Sequence, residues 1–336
     1  MSPAPDDLAT LRNGIATMIP WERHNNALLP TSATIFGSVR CADAFYEIAR
    51  GRTQALAPPH TRPVKPIEFV AQPLFSRGTS TPCIARTLPQ TQELIGAFPI
   101  DASRRVEIVE VSANVMSRLA ACEDVAERVI SQVAAGMESI EREGLLVQAG
   151  GRATTLPSVL NLASEAEQFL YSAKLALRDI GGLFAAFYDQ PFGHRYHKAQ
   201  QWATDTFGAD DGLSRLLAED SAWINQLLDM RNEVEHPKPP HGPLIIKNFE
   251  LVGQRDTLQV LQPVWHLRTA PAAYIATDMR VLADNLLTFF EDLLTDGLIR
   301  SAPGAPFSIR EIPLADRNPE FPIRLRVELT SPPIGS

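Results

Sequence analysis

Cysteine is scarce in this chain. Cys41, Cys83 and Cys122 are the whole complement, they lie far apart, and no Cys-x-x-Cys pair occurs. An odd, scattered set argues against a disulfide framework and against a thiolate zinc site, and suits reduced thiols in a cytosolic protein. Positive charge is also in deficit: 31 Lys and Arg stand against 39 Asp and Glu, a formal net charge of −8. A constitutive, sequence-blind nucleic-acid binder carries a basic footprint, so any RNA contact has to be local and transient. Uninterrupted apolar runs are missing too. The most apolar helical stretch, Ile275–Leu298, contains Asp278, Arg280, Asp284, Glu291, Asp292 and Asp296, which excludes a membrane span there. The opening MSPAPDDLATLRNG lacks the basic-then-apolar order of a secretory signal, so a cytoplasmic location is expected. Gly150–Gly151 and Gly181–Gly182 do not form the glycine patterns of phosphate-binding loops, and there is no Gly-x-Ser-x-Gly elbow.

What is present is ordinary globular material. Hydrophobic residues make up 45 % and charged residues 21 %, enough to build a core without covalent staples in one large or two smaller domains. Residues 1–75 are proline-rich. Within them Ala42–Arg50 is read as a short helix, Ala57–Pro66 as an extended linker and Pro66–Leu74 as a strand. Arg105–Ser112 is read as a strand from its β-branched Val106, Ile108, Val109 and Val111. Val125, Val129, Val133, Met137 and Ile140 predict a helix over Asp124–Leu146, with a loop over Gln148–Thr155. Further helices are predicted over Ser158–Tyr188 (kinked or ended at Gly181–Gly182), near His197–Phe207, over Leu213–His236 and over Ile275–Leu298. A β-hairpin of Leu244–Val252 and Leu258–Leu267 turns through Gly253–Thr257, and Ile323–Leu329 alternates like a strand with one wet face. The expected fold class is α+β: an N-terminal mixed region over 1–150, a four-helix antiparallel bundle with the hairpin insert over 151–300, and a tail with an edge strand over 301–336.

One cluster is chemically specific. On a wheel of ~100° per residue, Leu213, Leu217, Ile224 and Leu227 centre the apolar stripe of the second long helix, and Arg231 falls inside it. A buried arginine needs a partner, a cleft or a subunit interface. Asn232 and His236 follow on a neighbouring face. Arg231 and His236 are ~140° apart on an ideal helix, but Pro237 ends the helix and allows the imidazole to swing back. These groups suit phosphodiester chemistry. Arginine offers a fork of donors to phosphate oxygens, histidine exchanges protons near neutrality and is favoured as imidazolium at a helix C-terminus, and asparagine orients an imidazole or a ribose hydroxyl. No acidic pair with metal-ligand spacing accompanies them, so neither a catalytic metal nor another cofactor is expected.

The run Arg231-Asn232-Glu233-Val234-Glu235-His236 resembles the motif of the HEPN superfamily, compact helical bundles of prokaryotic conflict systems and ribonucleases. The resemblance covers about residues 158–300. It implies that Arg231 binds a scissile phosphate and that His236 assists attack of the ribose 2′-hydroxyl, giving metal-independent RNA cleavage with a cyclic phosphate end. It also implies a homodimer whose two motifs face each other in one composite site, a toxin or defence role, and an antitoxin or regulatory partner. In some toxin members a tyrosine follows the histidine by two positions; here that position is Lys238.

Other residues have competing readings. His194, Arg195, His197 and Lys198 form a basic segment that could hold RNA backbone near the cluster, or an ordinary polar loop before a helix; His194 and His197 lack a third metal ligand. His241 reads as loop, Trp202, Trp223 and Trp265 as core or interface aromatics, and Asp220 on the apolar stripe as one half of a pair with an arginine across the bundle. The rival to an enzyme is a non-catalytic interaction or ligand-binding module, in which Arg231 is an interface residue and His236 a helix cap.

Overall fold

The computed structural model describes residues 35–41, 44–57, 70–147, 154–240, 242–253 and 258–329. In chain order the elements are strands β1 (Ile35–Cys41), β2 (Ala44–Ala49), β3 (Thr53–Ala57) and β4 (Val70–Phe75), helices α1 (Pro82–Ala85), α2 (Leu88–Ala97) and α3 (Ala102–Glu143), and the two-residue strands β5 (Leu146–Val147) and β6 (Thr154–Thr155). Helices α4 (Leu162–Ile180), α5 (Gly182–Tyr188), α6 (Tyr196–Phe207) and α7 (Gly212–Glu235) follow. Then come β7 (Ile245–Lys247), β8 (Glu250–Val252), β9 (Gln259–Leu261), β10 (Val264–His266), β11 (Ala273–Tyr274), α8 (Ile275–Ser301), β12 (Phe307–Glu311) and β13 (Leu325–Leu329). Mixed helix and strand is thus the class. No helix among the described residues is long and apolar enough to cross a membrane.

The chain forms two compact units, each discontinuous in sequence. One comprises the described residues within 1–116, 182–191 and 290–336, the other those within 117–181 and 192–289. These divisions differ from the contiguous 1–150, 151–300 and 301–336 scheme, because α3 and α8 each supply residues to both units.

The first unit holds an antiparallel sheet in the order β1-β2-β3-β4. Ala44–Ala49 is therefore strand, not the short helix expected over Ala42–Arg50. Phe45, Tyr46 and Ile48 suit a pleated surface, and β2 pairs on both sides, with β1 and with β3. Cross-strand neighbours Glu47 and Gln54 are both buried, and the Gln54 amide donates to the carboxylate at 2.7 Å. The strand expected over Pro66–Leu74 is β4; its residues 66–69, like 58–65 of the linker, lie outside the described residues. Arg105–Ser112 is a second correction: it is the start of α3. Ile108, Val109, Ser112, Ala113, Val115, Met116 and Leu119 are all buried, a helical rather than alternating rhythm. Asp101 caps that helix by accepting the Arg104 amide at 2.9 Å, and that bond holds its carboxyl below the usual range. The fully buried Glu291 ties this unit together. It accepts from Arg86 at 2.5 Å, Gln90 at 2.8 Å and Arg324 at 3.1 Å. Gln90 in turn accepts the backbone amides of Arg324 and Leu325, securing β13 beside its partner β12.

The second unit contains residues 117–143 of α3, then α4, α6, α7 and residues 275–289 of α8. Helix α7 packs on α4 and α6, burying Leu213, Leu217, Ile224, Leu227 and Met230. Helix α4 begins at Leu162 rather than Ser158 because Asn248 claims the backbone of Val159. Its Oδ1 accepts the Val159 amide at 3.0 Å and its Nδ2 donates to the Val159 carbonyl at 2.8 Å. Of the expected hairpin, the strands pair antiparallel in two ladders of one register, β7–β10 and β8–β9. They part where Pro263, which has no N–H, lies opposite Asn248. Residues 254–257 of its turn lie outside the described residues. Trp265 is core: it packs against Phe169 with ring centroids 6.0 Å apart and donates to Asp278 at 2.5 Å. Trp202 and Trp223 are half-buried.

Candidate functional site

Helix α7 is capped at its start by Asp211, whose carboxylate accepts the Leu213 amide at 3.0 Å. Its last helical bond runs from the His236 amide to the Asn232 carbonyl, 2.7 Å, and His236 leaves the helix at φ −142° and ψ 69°. Pro237 enforces that exit. Beyond it the Lys238 amide returns to the buried Glu233 carboxylate at 2.6 Å, so the chain folds back beside the helix end.

Arg231 is 6 % exposed. Its guanidinium lies over the Tyr171 ring of α4, 5.4 Å from the centroid, and Nη2 donates to Glu235 one turn on. Nε and Nη1 are buried without a hydrogen-bond partner among the described residues. A buried donor left unpaired costs about 1–3 kcal/mol, so the packing does not fully satisfy this guanidinium. The Arg231 hydrogen bond, followed by the charges of Arg231, Lys174 and His236, holds the Glu235 carboxyl below its usual range.

Asn232 and His236 are both exposed. The Asn232 side-chain oxygen accepts from Lys174 Nζ at 3.2 Å. Lys174, one turn beyond Tyr171 on α4, therefore joins the motif to the basic segment foreseen from the sequence. His194 is pushed below its ordinary value first by burial and then by the positive charges of Lys174, Arg195 and Arg178. The approach of that loop to α4 depends on a glycine. A Cβ on Gly181 would stand 2.0 Å from the Gly193 carbonyl oxygen. Buried Tyr196 fixes the far side of the loop, its hydroxyl donating to the Leu177 carbonyl at 2.5 Å.

Lys174 thus contacts Asn232 directly and acts electrostatically on His194 and on Glu235, the partner of Arg231. His197 and Lys198 are exposed on the first turn of α6 and share no hydrogen bond or ion pair with the motif among the described residues. Sequence reasoning missed Tyr171, Lys174 and Arg178. Their one signal was a three- and four-residue spacing on the polar side of α4. Asp220 is also corrected: its partner is Trp223, whose indole donates to it at 2.7 Å, not an arginine across the bundle, and burial raises its pKa. His241 lies outside the described residues.

Among the described residues no three His, Cys, Asp or Glu side chains are grouped to hold a metal ion. No family model matches the chain, and neither a curated protein nor a solved structure shows significant similarity to it.

Proposed function

We propose that the chain is a metal-independent endoribonuclease with a HEPN-like helical bundle, acting as a homodimer with a composite site, of the kind used in toxin and defence systems. Arg231 takes the non-bridging oxygens of the scissile phosphate. His236 accepts the proton of the ribose 2′-hydroxyl as that oxygen attacks phosphorus. The 5′-oxygen leaves as a hydroxyl, taking a proton from water, and a 2′,3′-cyclic phosphate remains.

The observation that carries this is Arg231 itself. Its guanidinium is buried, two of its N–H groups lack acceptors among the described residues, and Lys174, Asn232 and His236 are its near neighbours in charge and sequence. An oxyanion accepting those donors would relieve their desolvation cost. On a chain of net charge −8, this local excess of cations is the feature a polyanion would find.

The contact between Arg231 and Glu235 favours a second reading, a non-catalytic interaction module. There the guanidinium is neutralised within its own helix and stacked on Tyr171 as a structural or interface group.

Mixed RNA incubated with the purified chain in EDTA separates the two. Cleavage that survives chelation, leaves cyclic phosphate ends and disappears in both Arg231→Ala and His236→Ala supports the enzyme. A folded wild-type chain that leaves the RNA intact overturns it. Sedimentation of the same sample tests the homodimer.

A further inference from the structure

We infer that the α4 stripe Tyr171–Lys174–Arg178, with His194 beside it, is the track that carries the backbone of single-stranded RNA into the Arg231 site, and that Tyr171 stacks a base there. This rests on the ribonuclease reading above.

Residues three and four apart on a helix share a face, and this face meets the motif at two points. The Tyr171 ring lies under the Arg231 guanidinium. Lys174 Nζ holds the Asn232 oxygen at 3.2 Å. Arg178 extends the stripe one turn further. It shares the Asp179 carboxylate with Arg118, at 2.7 and 3.3 Å, so two guanidiniums stand against one carboxylate and a net positive charge is left. The Gly181–Gly193 approach brings His194 to the same end of α4, where it feels both Lys174 and Arg178. Glu235 and Asp179 are each already held by arginine, and Glu233 is buried and accepts the Lys238 amide.

Charge alone would suit any polyanion. Tyr171 narrows the class. It is 51 % exposed, a large ring held open to solvent, and rings of that kind stack unpaired bases whatever their identity. In a duplex the base faces are covered, whereas a single strand presents both bases and phosphates to a stripe of one aromatic followed by two cations.

The test uses the full chain carrying His236→Ala, so that RNA survives, and a fluorescein-labelled single-stranded oligoribonucleotide read by anisotropy. Lys174→Glu and Arg178→Glu are expected to weaken binding at least tenfold each and to flatten its salt dependence. Tyr171→Ala is expected to lose roughly tenfold while Tyr171→Phe binds as the parent. Arg142→Glu, a reversal on the exposed end of α3, controls for net charge. Thermal melts of each variant separate lost binding from lost folding. If wild type cleaves RNA and the reversals bind like the parent, the track is wrong and the ribonuclease stands. If the parent does not bind RNA and wild type does not cleave it, the ribonuclease fails. Labelled polyglutamate bound through Lys174 and Arg178 would then reassign the stripe to an acidic protein partner.

Discussion

Arg231 stacks on Tyr171, one helix holding its buried cation against an exposed ring of another. The contact stabilises a charge that would be costly to bury bare, yet it leaves Nε and Nη1 without acceptors among the described residues. Replacing a buried charge by an apolar side chain of similar volume is often neutral or stabilising. Arg231→Met is therefore expected to hold unfolding free energy within about 1 kcal/mol of wild type, or to raise it, while RNA cleavage falls at least about a hundredfold. Urea denaturation and a cleavage time course read the two effects separately. A large stability loss with no cleavage in wild type would assign Arg231 to the interaction module instead.

His194 gives a pH prediction with a definite sign. Its folded pKa lies below the ordinary 6.5, from burial first and then from Lys174, Arg195 and Arg178. The unfolded chain then binds the proton more readily, so the stability associated with a neutral His194 is present above pH 6.5 and is lost as pH falls through the lower folded value. Lys174→Gln removes the leading charge and should move the midpoint upward. Imidazole chemical shifts followed by NMR across pH 4 to 8 would measure this. An unmoved midpoint would place Lys174 too far from the loop to build the track.

Much of α7 could be read from sequence, because its signals are local. An apolar stripe fixes the buried face, Pro237 fixes the end, and a charged residue inside the stripe marks itself as unusual. The partners of that residue could not be read. Tyr171 and Lys174 sit on the polar side of α4, where an isolated aromatic and a lysine look like ordinary surface until α4 packs on α7. The start of α3 misled for a different reason. Its β-branched content argued strand, while the burial of Ile108, Val109, Ser112 and Ala113 follows a helical period and Asp101 stands at the cap position. Periodicity and capping outweighed propensity there. For Ala44–Ala49 the deciding fact was pairing with strands on both sides, which no local pattern encodes.

Gly181 should be intolerant of a side chain for a steric reason, since its φ of −58° is open to any residue. An alanine Cβ would meet the Gly193 carbonyl oxygen, a backbone atom, at 2.0 Å, so the 192–195 loop has to move. Gly181→Ala is expected to cost about 1–3 kcal/mol by overpacking and to weaken oligoribonucleotide binding in the same variant. Unchanged binding at reduced stability would show that His194 is not part of the track.

The Glu291 cluster separates global from local stability. Its carboxylate is fully buried and accepts from Arg86, Gln90 and Arg324. Glu291→Leu removes the acceptor shared by two largely buried guanidiniums and is expected to cost about 3–5 kcal/mol, read as a lower urea midpoint. Gln90→Ala acts on a smaller scale. It takes the acceptor from the Arg324 and Leu325 amides, at 2.7 and 2.8 Å, for about 1–3 kcal/mol. Hydrogen exchange at those two amides should quicken well before exchange in α2, because β13 is otherwise held by its ladder to β12. If both amides stay protected in Gln90→Ala, the ladder alone secures the strand and the glutamine serves only to satisfy Glu291.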